Sequence, residues 1–164
     1  MIKVNIPSSN QIYIAIAKDL ETNERLVLIE KIYRIPVRKY IYEFPAGMRD
    51  PGEDDPIQTG LRELKEETGY VGHNARVTDQ VKSDPWKSNG THIHMICEID
   101  LSLPENQNPE PNLESEEDIT PMWVKLKGIQ QNLEKLADEN DHDLDQRLYA
   151  WAMGIEYARK FGVK

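Results

Sequence analysis

Residues 11–19 and 25–34 are rich in β-branched and aromatic side chains and flank a polar Glu21-Thr22-Asn23-Glu24 segment. Two such runs around a turn predict a β-hairpin. A third strand, residues 40–44, leads directly into Pro45-Ala46-Gly47 and a glycine-containing loop. The period then changes. Asp55 is placed as an N-cap, Pro56 as the first helical residue and Gly69 as the residue just past the end, which predicts a helix between them. At about 100° per residue, Ile57, Leu61, Leu64 and Thr68 fall within a ~60° arc expected to face the core, while Glu63, Glu66 and Glu67 group on another face expected to lie outside it. Strands follow at 75–82, 92–99 and 122–126, then helices at 128–137 and 144–161. The last helix has a stripe of Leu144, Leu148, Trp151, Ile155 and Ala158, spaced for packing. Strands before and after one central helix, with terminal helices added, describe an α+β sandwich. Its length suits one domain, residues 1–164.

The segment 104–118 has three prolines and little to bury. It reads as a long acidic loop, a feature that in a compact domain is usually functional or disordered. Glu116 and Glu117 close it just before a strand, where a carboxylate can be delivered into a site while the rest of the loop moves.

The acidic face of the central helix is where chemistry first shows. A solvated face is the simpler reading of Glu63, Glu66 and Glu67, but their positions are costly. Carboxylates at i, i+3 and i+4 repel one another, and Glu66 and Glu67 sit near the helix C-terminus, where the macrodipole disfavours negative charge. Only Arg62, one turn before Glu66, offers local relief. Concentrated hard oxygen ligands are what Mg²⁺ or Mn²⁺ requires, so this face is read as a divalent-cation site.

Composition narrows the partners. The formal net charge is −9, which offers no counter-charge to nucleic acid or to an anionic membrane. An anionic substrate would need a metal to bring it in. The single cysteine, Cys97, excludes an internal disulfide and suits a reducing compartment. No apolar run approaches the length of a membrane span and no signal-peptide core is seen, so the expected location is the cytoplasm, with the nucleus also open. His92 and His94 alternate on one strand and lack a third ligand nearby, so they read as ordinary polar positions rather than a zinc site.

The stretch from Gly47 to Tyr70 resembles the Nudix box, G-x₅-E-x₇-R-E-U-x-E-E-x-G-U, where U is bulky and apolar. Gly47, Glu53, Arg62, Glu63, Leu64, Glu66, Glu67 and Gly69 match, with Tyr70 as the last member. Eight residues rather than seven separate Glu53 from Arg62. Aligned backward from Arg62, the extra residue is Asp54, before the helix, so the helical register is kept and only the reach of Glu53 is altered. Outside the box, Arg34, Glu43-Phe44-Pro45-Ala46-Gly47, Pro85, Leu103 through Pro109 and Asp145-Gln146-Arg147 resemble the eukaryotic-type ADP-ribose (ADP-sugar) diphosphatase branch.

The resemblance implies a Nudix fold, mixed β-sheets sandwiched between the box helix and C-terminal helices, and roles for particular residues. The Ala46 carbonyl, Glu63 and Glu67 would hold Mg²⁺, with Glu66 shared or bridging and Arg62 orienting Glu66. Arg34 would contact a substrate phosphate. Glu43, Met48 and Asp84 would border the substrate. Glu117 would join a metal or accept a proton from water, general-base help worth about 10² to 10⁴ in rate. The activity implied is Mg²⁺-dependent hydrolysis of ADP-ribose or a related nucleoside diphosphate sugar to AMP and a sugar phosphate; the alternative is a non-catalytic Nudix-fold module that binds a nucleotide or a partner. A homodimer is also implied. Members of the branch carry a longer N-terminal segment that exchanges between subunits and stacks aromatic residues on adenine, whereas here only residues 1–10 precede the first strand. Trp86 stands where the branch usually has glycine, and is expected to narrow the sugar end of the cleft, to replace a lost stacking surface, or to be an exposed loop residue.

Overall fold

Asp19 closes the first hairpin. Its Oδ1 accepts from the backbone N–H groups of Glu21 and Thr22 at 3.1 and 2.6 Å, and Asn23 takes the left-handed conformation at φ 58°, which an Asx-type turn tolerates. The computed structural model describes residues 10–50, 52–115 and 118–163; the N-terminal segment 1–10 expected from the sequence therefore lies outside it but for Asn10. The strands around the turn are β1 (Asn10–Lys18) and β2 (Arg25–Arg34), followed by β3 (Lys39–Glu43), β4 (Ala46–Met48), helix α1 (Pro56–Thr68), β5 (His73–Val77), β6 (Val81–Lys82), β7 (Thr91–Ile99), β8 (Ile119–Lys125), α2 (Ile129–Asn140), β9 (Asp143–Leu144) and α3 (Gln146–Phe161).

The strands form a mixed sheet in the order β5-β7-β1-β2-β3-β9, with β4 added to β1, β6 to β7 and β8 to β2. β1 runs parallel to β7 and β3 to β9; the other pairings are antiparallel. Alternation along β1 sends Ile12, Ile14 and Ile16 to one face and Tyr13, Ala15 and Ala17 to the other. The first set packs with Val27, Ile29, Val124, Leu133, Leu148 and Ala152 beneath α2 and α3. The second packs with Leu28, Leu64, Met95 and Cys97 beneath α1. The α+β sandwich expected from the pattern is the fold observed.

Several local expectations are corrected. The strand at 75–82 is two strands, because Thr78 leaves the ladder: its N–H donates to the His94 carbonyl while its Oγ1 accepts from the His94 N–H. Ala46–Met48 is a short strand against β1 rather than loop, and Leu144 lies on β9, so α3 starts after Asp145, whose carboxylate accepts from the Arg147 and Leu148 N–H groups. Within the 104–118 segment, Asn106 is buried: its side chain accepts from the Val71 N–H at 2.7 Å and donates to the carbonyls of Val71 and Asp100. Farther on, the Asn112 N–H donates to the Glu66 carbonyl at 2.8 Å. This part of the loop is tied to the C-terminal end of α1. Gly69 permits it, since it adopts φ 75° and a β-carbon there would collide with the backbone of Pro109 and Glu110.

The buried side of α1 also differs from expectation. Thr59, Gly60, Leu64, Glu67 and Thr68 are buried, whereas Ile57 and Leu61 are only partly so. The buried arc is rotated by roughly 60° from the purely apolar one, and it takes in Glu67 and flanks Glu63. The acidic face is part of the helix–sheet interface.

Candidate active site

At the start of α1, Asp55 caps the helix by accepting from the Ile57 N–H at 2.9 Å. The capping fixes the register that aims Glu63 and Glu67 at β1 and β4. Gly47 stands against Glu63, and a β-carbon there would collide with the Glu63 carboxylate; glycine is the residue that lets this acid meet the β4 backbone. The Gly47 N–H donates to the Tyr13 hydroxyl at 3.1 Å. Since the trans peptide sets its carbonyl opposite its N–H, that bond points the Ala46 carbonyl away from Tyr13.

Tyr13 is fully buried. Burial first, then the negative charges of Glu67 and Glu63, raise its pKa far above the ordinary phenol value, so it keeps its proton. Glu67 is 5% exposed. The Glu63 carboxyl is pushed up by burial even though Arg62 pulls it down. A partly buried acid whose desolvation outweighs its arginine is an environment short of positive charge.

Arg62 is the hub of the acids. Its Nε and Nη2 donate to the two oxygens of Glu53 at 2.9 and 3.0 Å, Nη1 donates to Glu66 at 2.7 Å, and Nη2 lies 2.8 Å from Glu63. Glu53 therefore reaches its partner despite the extra residue at Asp54. The Arg62 bonds hold its carboxyl down to about 2, and Glu53 also accepts from the Asp50 N–H and the Thr59 hydroxyl. With the acids gathered on the arginine, no three His, Cys, Asp or Glu side chains among the described residues converge as a ready metal cluster.

A second group lies across β4. Arg34 and Glu43, near opposite ends of the paired strands β2 and β3, form an ion pair through Arg34 Nη2 and Nε, which leaves Nη1 outside that pair. Glu43 is buried and Arg34 half-exposed. Asp145 holds Arg147 in a bidentate pair at 2.9 Å on both arms, and Arg147 feels the charges of Glu43 and Asp84. Burial and Arg147 together keep His92 below its ordinary pKa. Asp84, Trp86 and Met48 are exposed, Trp86 at 83%.

Of the residues predicted from the sequence, the structure brings Ala46, Glu63, Glu67, Arg62 and Glu66 into one group and Arg34 and Glu43 into another. Trp86 makes no aromatic pairing among the described residues, and Glu117 lies outside them. Tyr13 and Arg147 were missed as site residues. Tyr13 lies in an ordinary strand pattern and has no sequence signal; Arg147 is two residues past the cap Asp145, a spacing that permits the bidentate pair.

A glycine of β4 set against a helix that carries Glu63, Glu66 and Glu67 is the arrangement expected of a Nudix protein. The chain belongs to the NUDIX domain family, whose model matches residues 11–148. Nudix hydrolases generally use divalent metals. Among its relatives, the chain is 40% identical over 139 residues to a Saccharomyces cerevisiae protein named ADP-ribose pyrophosphatase, covering 84% of this chain and 59% of that one. It is 32% identical over 132 residues to the ADP-sugar pyrophosphatase of Mus musculus, covering 80% and 60%. With the ADP-ribose pyrophosphatase of Bacillus subtilis the identity is 31% over 113 residues, 69% of this chain and 58% of the relative. The chain thus spans about three fifths of the length of these relatives. No helix among the described residues is long and apolar enough to cross a membrane.

Proposed function

We propose that this chain is a divalent-metal-dependent hydrolase that cleaves the diphosphate of ADP-ribose, or of a related nucleoside diphosphate sugar, to AMP and a sugar phosphate. The observation that carries this reading is the seating of Glu63 against the Gly47 backbone beside the buried Glu67, an acid-rich site with a deficit of positive charge. The names of the relatives support the substrate class. The donor set of hard oxygens suits Mg²⁺, with Mn²⁺ as its nearest substitute. Ala46 through its carbonyl, Glu63, Glu66 and Glu67 would hold it, with Glu117 as a further ligand or base. Bound there, such an ion supplies neutralisation of phosphate oxygens and acidification of water.

The protein's own residues do the rest. Arg62 keeps Glu53 and Glu66 oriented, so the helix carries its acids without splaying. Arg34 would offer Nη1, which lies outside the Glu43 pair, to a phosphate oxygen while Glu43 fixes its plane, the planar fork suiting that partner. Tyr13 orients the Ala46 carbonyl. Met48, Asp84 and Trp86 would border the sugar and base. The chain is one domain, residues 1–164, and, as its resemblance to the ADP-sugar diphosphatase branch implies, forms a homodimer. It acts in the cytoplasm or nucleus, with neither nucleic acid nor membrane as partner; the free, buried Cys97 supports a reducing compartment and the acidity supports the lack of those partners.

The test is AMP release from ADP-ribose with Mg²⁺ by the wild type and Glu67→Gln. The substitution should lower kcat by at least ~10², the scale of losing one electrostatic group from a preorganised site. Undiminished activity in the variant would refute the assignment of Glu67. Absence of activity on any nucleoside diphosphate would instead point to a binding module.

A further inference from the structure

On the sheet face that carries the α2/α3 core, that core draws no residue from β5 or β7. At this uncovered end a cavity of about 690 Å³ is lined by Ile16, Lys18, Arg25, Arg76, Ile96 and Leu101, among others. It is remote from the acids of α1. Gln11 pairs with Gly47 at one end of β1, and Lys18 is seven residues farther along, roughly 23 Å at a strand's rise.

Register puts the cavity's side chains on one face. Lys18 is directly opposite Arg25, Ile16 is opposite both Val27 and Glu98, and Arg76 is opposite Ile96. Two cations directly across an antiparallel pair repel and cost stability. Among the described residues, the side chains of Lys18, Arg25 and Arg76 make no hydrogen bond or ion pair. Three acids, Asp19, Glu98 and Asp100, line the same cavity, but none of them pairs with these cations, and each is held by other groups. Glu24 is bound to Lys125 at 2.6 Å, Asp19 accepts from Thr22 and Glu21, Asp100 accepts from Ser102, and Glu98 accepts from Asn74 and faces His73. In a chain of net charge −9, two cations without a side-chain partner of their own thus face each other beside Ile16 and Ile96.

We propose that this cavity binds a small phosphomonoester with an apolar or aromatic body, its phosphate held between Lys18 and Arg25 and its body resting on Ile16 and Ile96. A phosphate dianion neutralises both cations, and the arginine fork matches its oxygens. The volume lies within the range of small-molecule sites. Arg76 closes the far side, where it can stack on or pair with the body of the ligand.

The probe is phenyl phosphate, titrated into the ¹⁵N-labelled full chain with EDTA present, so that the result does not depend on the hydrolase reading. Shifts should map to residues 16–25, 76 and 96–102, phenol should produce none of them, and the affinity should fall as salt rises. Lys18→Gln should weaken binding at least fivefold. The same substitution removes a repulsion, so at low ionic strength and without ligand its melting temperature should match or exceed that of the wild type. Binding unaffected by Lys18→Gln and Arg25→Gln, shifts confined to the α1–β4 side, or no saturable binding of phenyl phosphate would each overturn the proposal.

Discussion

Removing one oxygen from the protein interior tests how the Ala46 carbonyl is aimed. Tyr13→Phe keeps the ring in a site that is fully buried and deletes the acceptor of the Gly47 N–H, a bond of 3.1 Å. No cavity of consequence is made. The loss is one hydrogen bond and one donor left without its partner, worth about 1 kcal/mol because Gly47 is only partly buried and water can reach part of it. For a chain of this size such a loss lowers the melting temperature by about 2–4 °C. Activity should suffer more than stability. Gly47 N–H and Ala46 C=O belong to one rigid peptide, so freeing the first lets the second swing, and misplacement of a positioned group by about 1 Å can cost on the order of 10² in rate. Melting curves and kcat on ADP-ribose measure the two effects, with Tyr149→Phe as a control distant from Gly47, a partly buried tyrosine whose hydroxyl donates to Glu134 and accepts from Gln130. A Tyr13→Phe protein with wild-type kcat would show that the hydroxyl does not aim the peptide, and an unchanged melting temperature would show that the Gly47 bond contributes nothing.

Three other outcomes follow from the same geometry. Gly47→Ala should fold but lose at least ~10² in kcat, because the new β-carbon displaces Glu63; circular dichroism with an activity assay checks this, and near-normal turnover would contradict it. Asn106→Ala leaves the Val71 N–H and the carbonyls of Val71 and Asp100 without their partner, and should destabilise the fold by about 1–3 kcal/mol in urea titrations. Glu53 has its folded pKa lowered to about 2 from 4.5, so its contribution is fully present above about 4.5 and is lost as pH falls towards about 2. Glu53→Gln should therefore cost stability at neutral pH, and the gap to wild type should narrow at pH 3; a gap that widens on acidification would reverse the assignment.

Much of the fold was legible because it is set locally. The hairpin around residues 19–24, the helix bounded by Asp55 and Gly69 and the terminal helices each follow from side chains that satisfy nearby backbone groups, or from a period that a few turns suffice to display. The spacing of Glu63, Glu66 and Glu67, and the arginine one turn before Glu66, could be read the same way. What the tertiary structure alone decided is the environment of those acids. Periodicity ranks residues by polarity and so turned α1 on Leu61 and Leu64, whereas packing on β1 and β4 turned it by roughly 60° and buried Glu67. Ala46–Met48 became a strand because β1 supplied partners from more than thirty positions earlier in the chain. Tyr13 acquired its role across the same separation, and Arg147 joined Glu43 and Asp84 across a greater one. Sequence chose the ligating chemistry, because residue type and helical spacing are local properties. Long-range packing chose its burial and charge balance, because desolvation depends on what the rest of the chain places nearby.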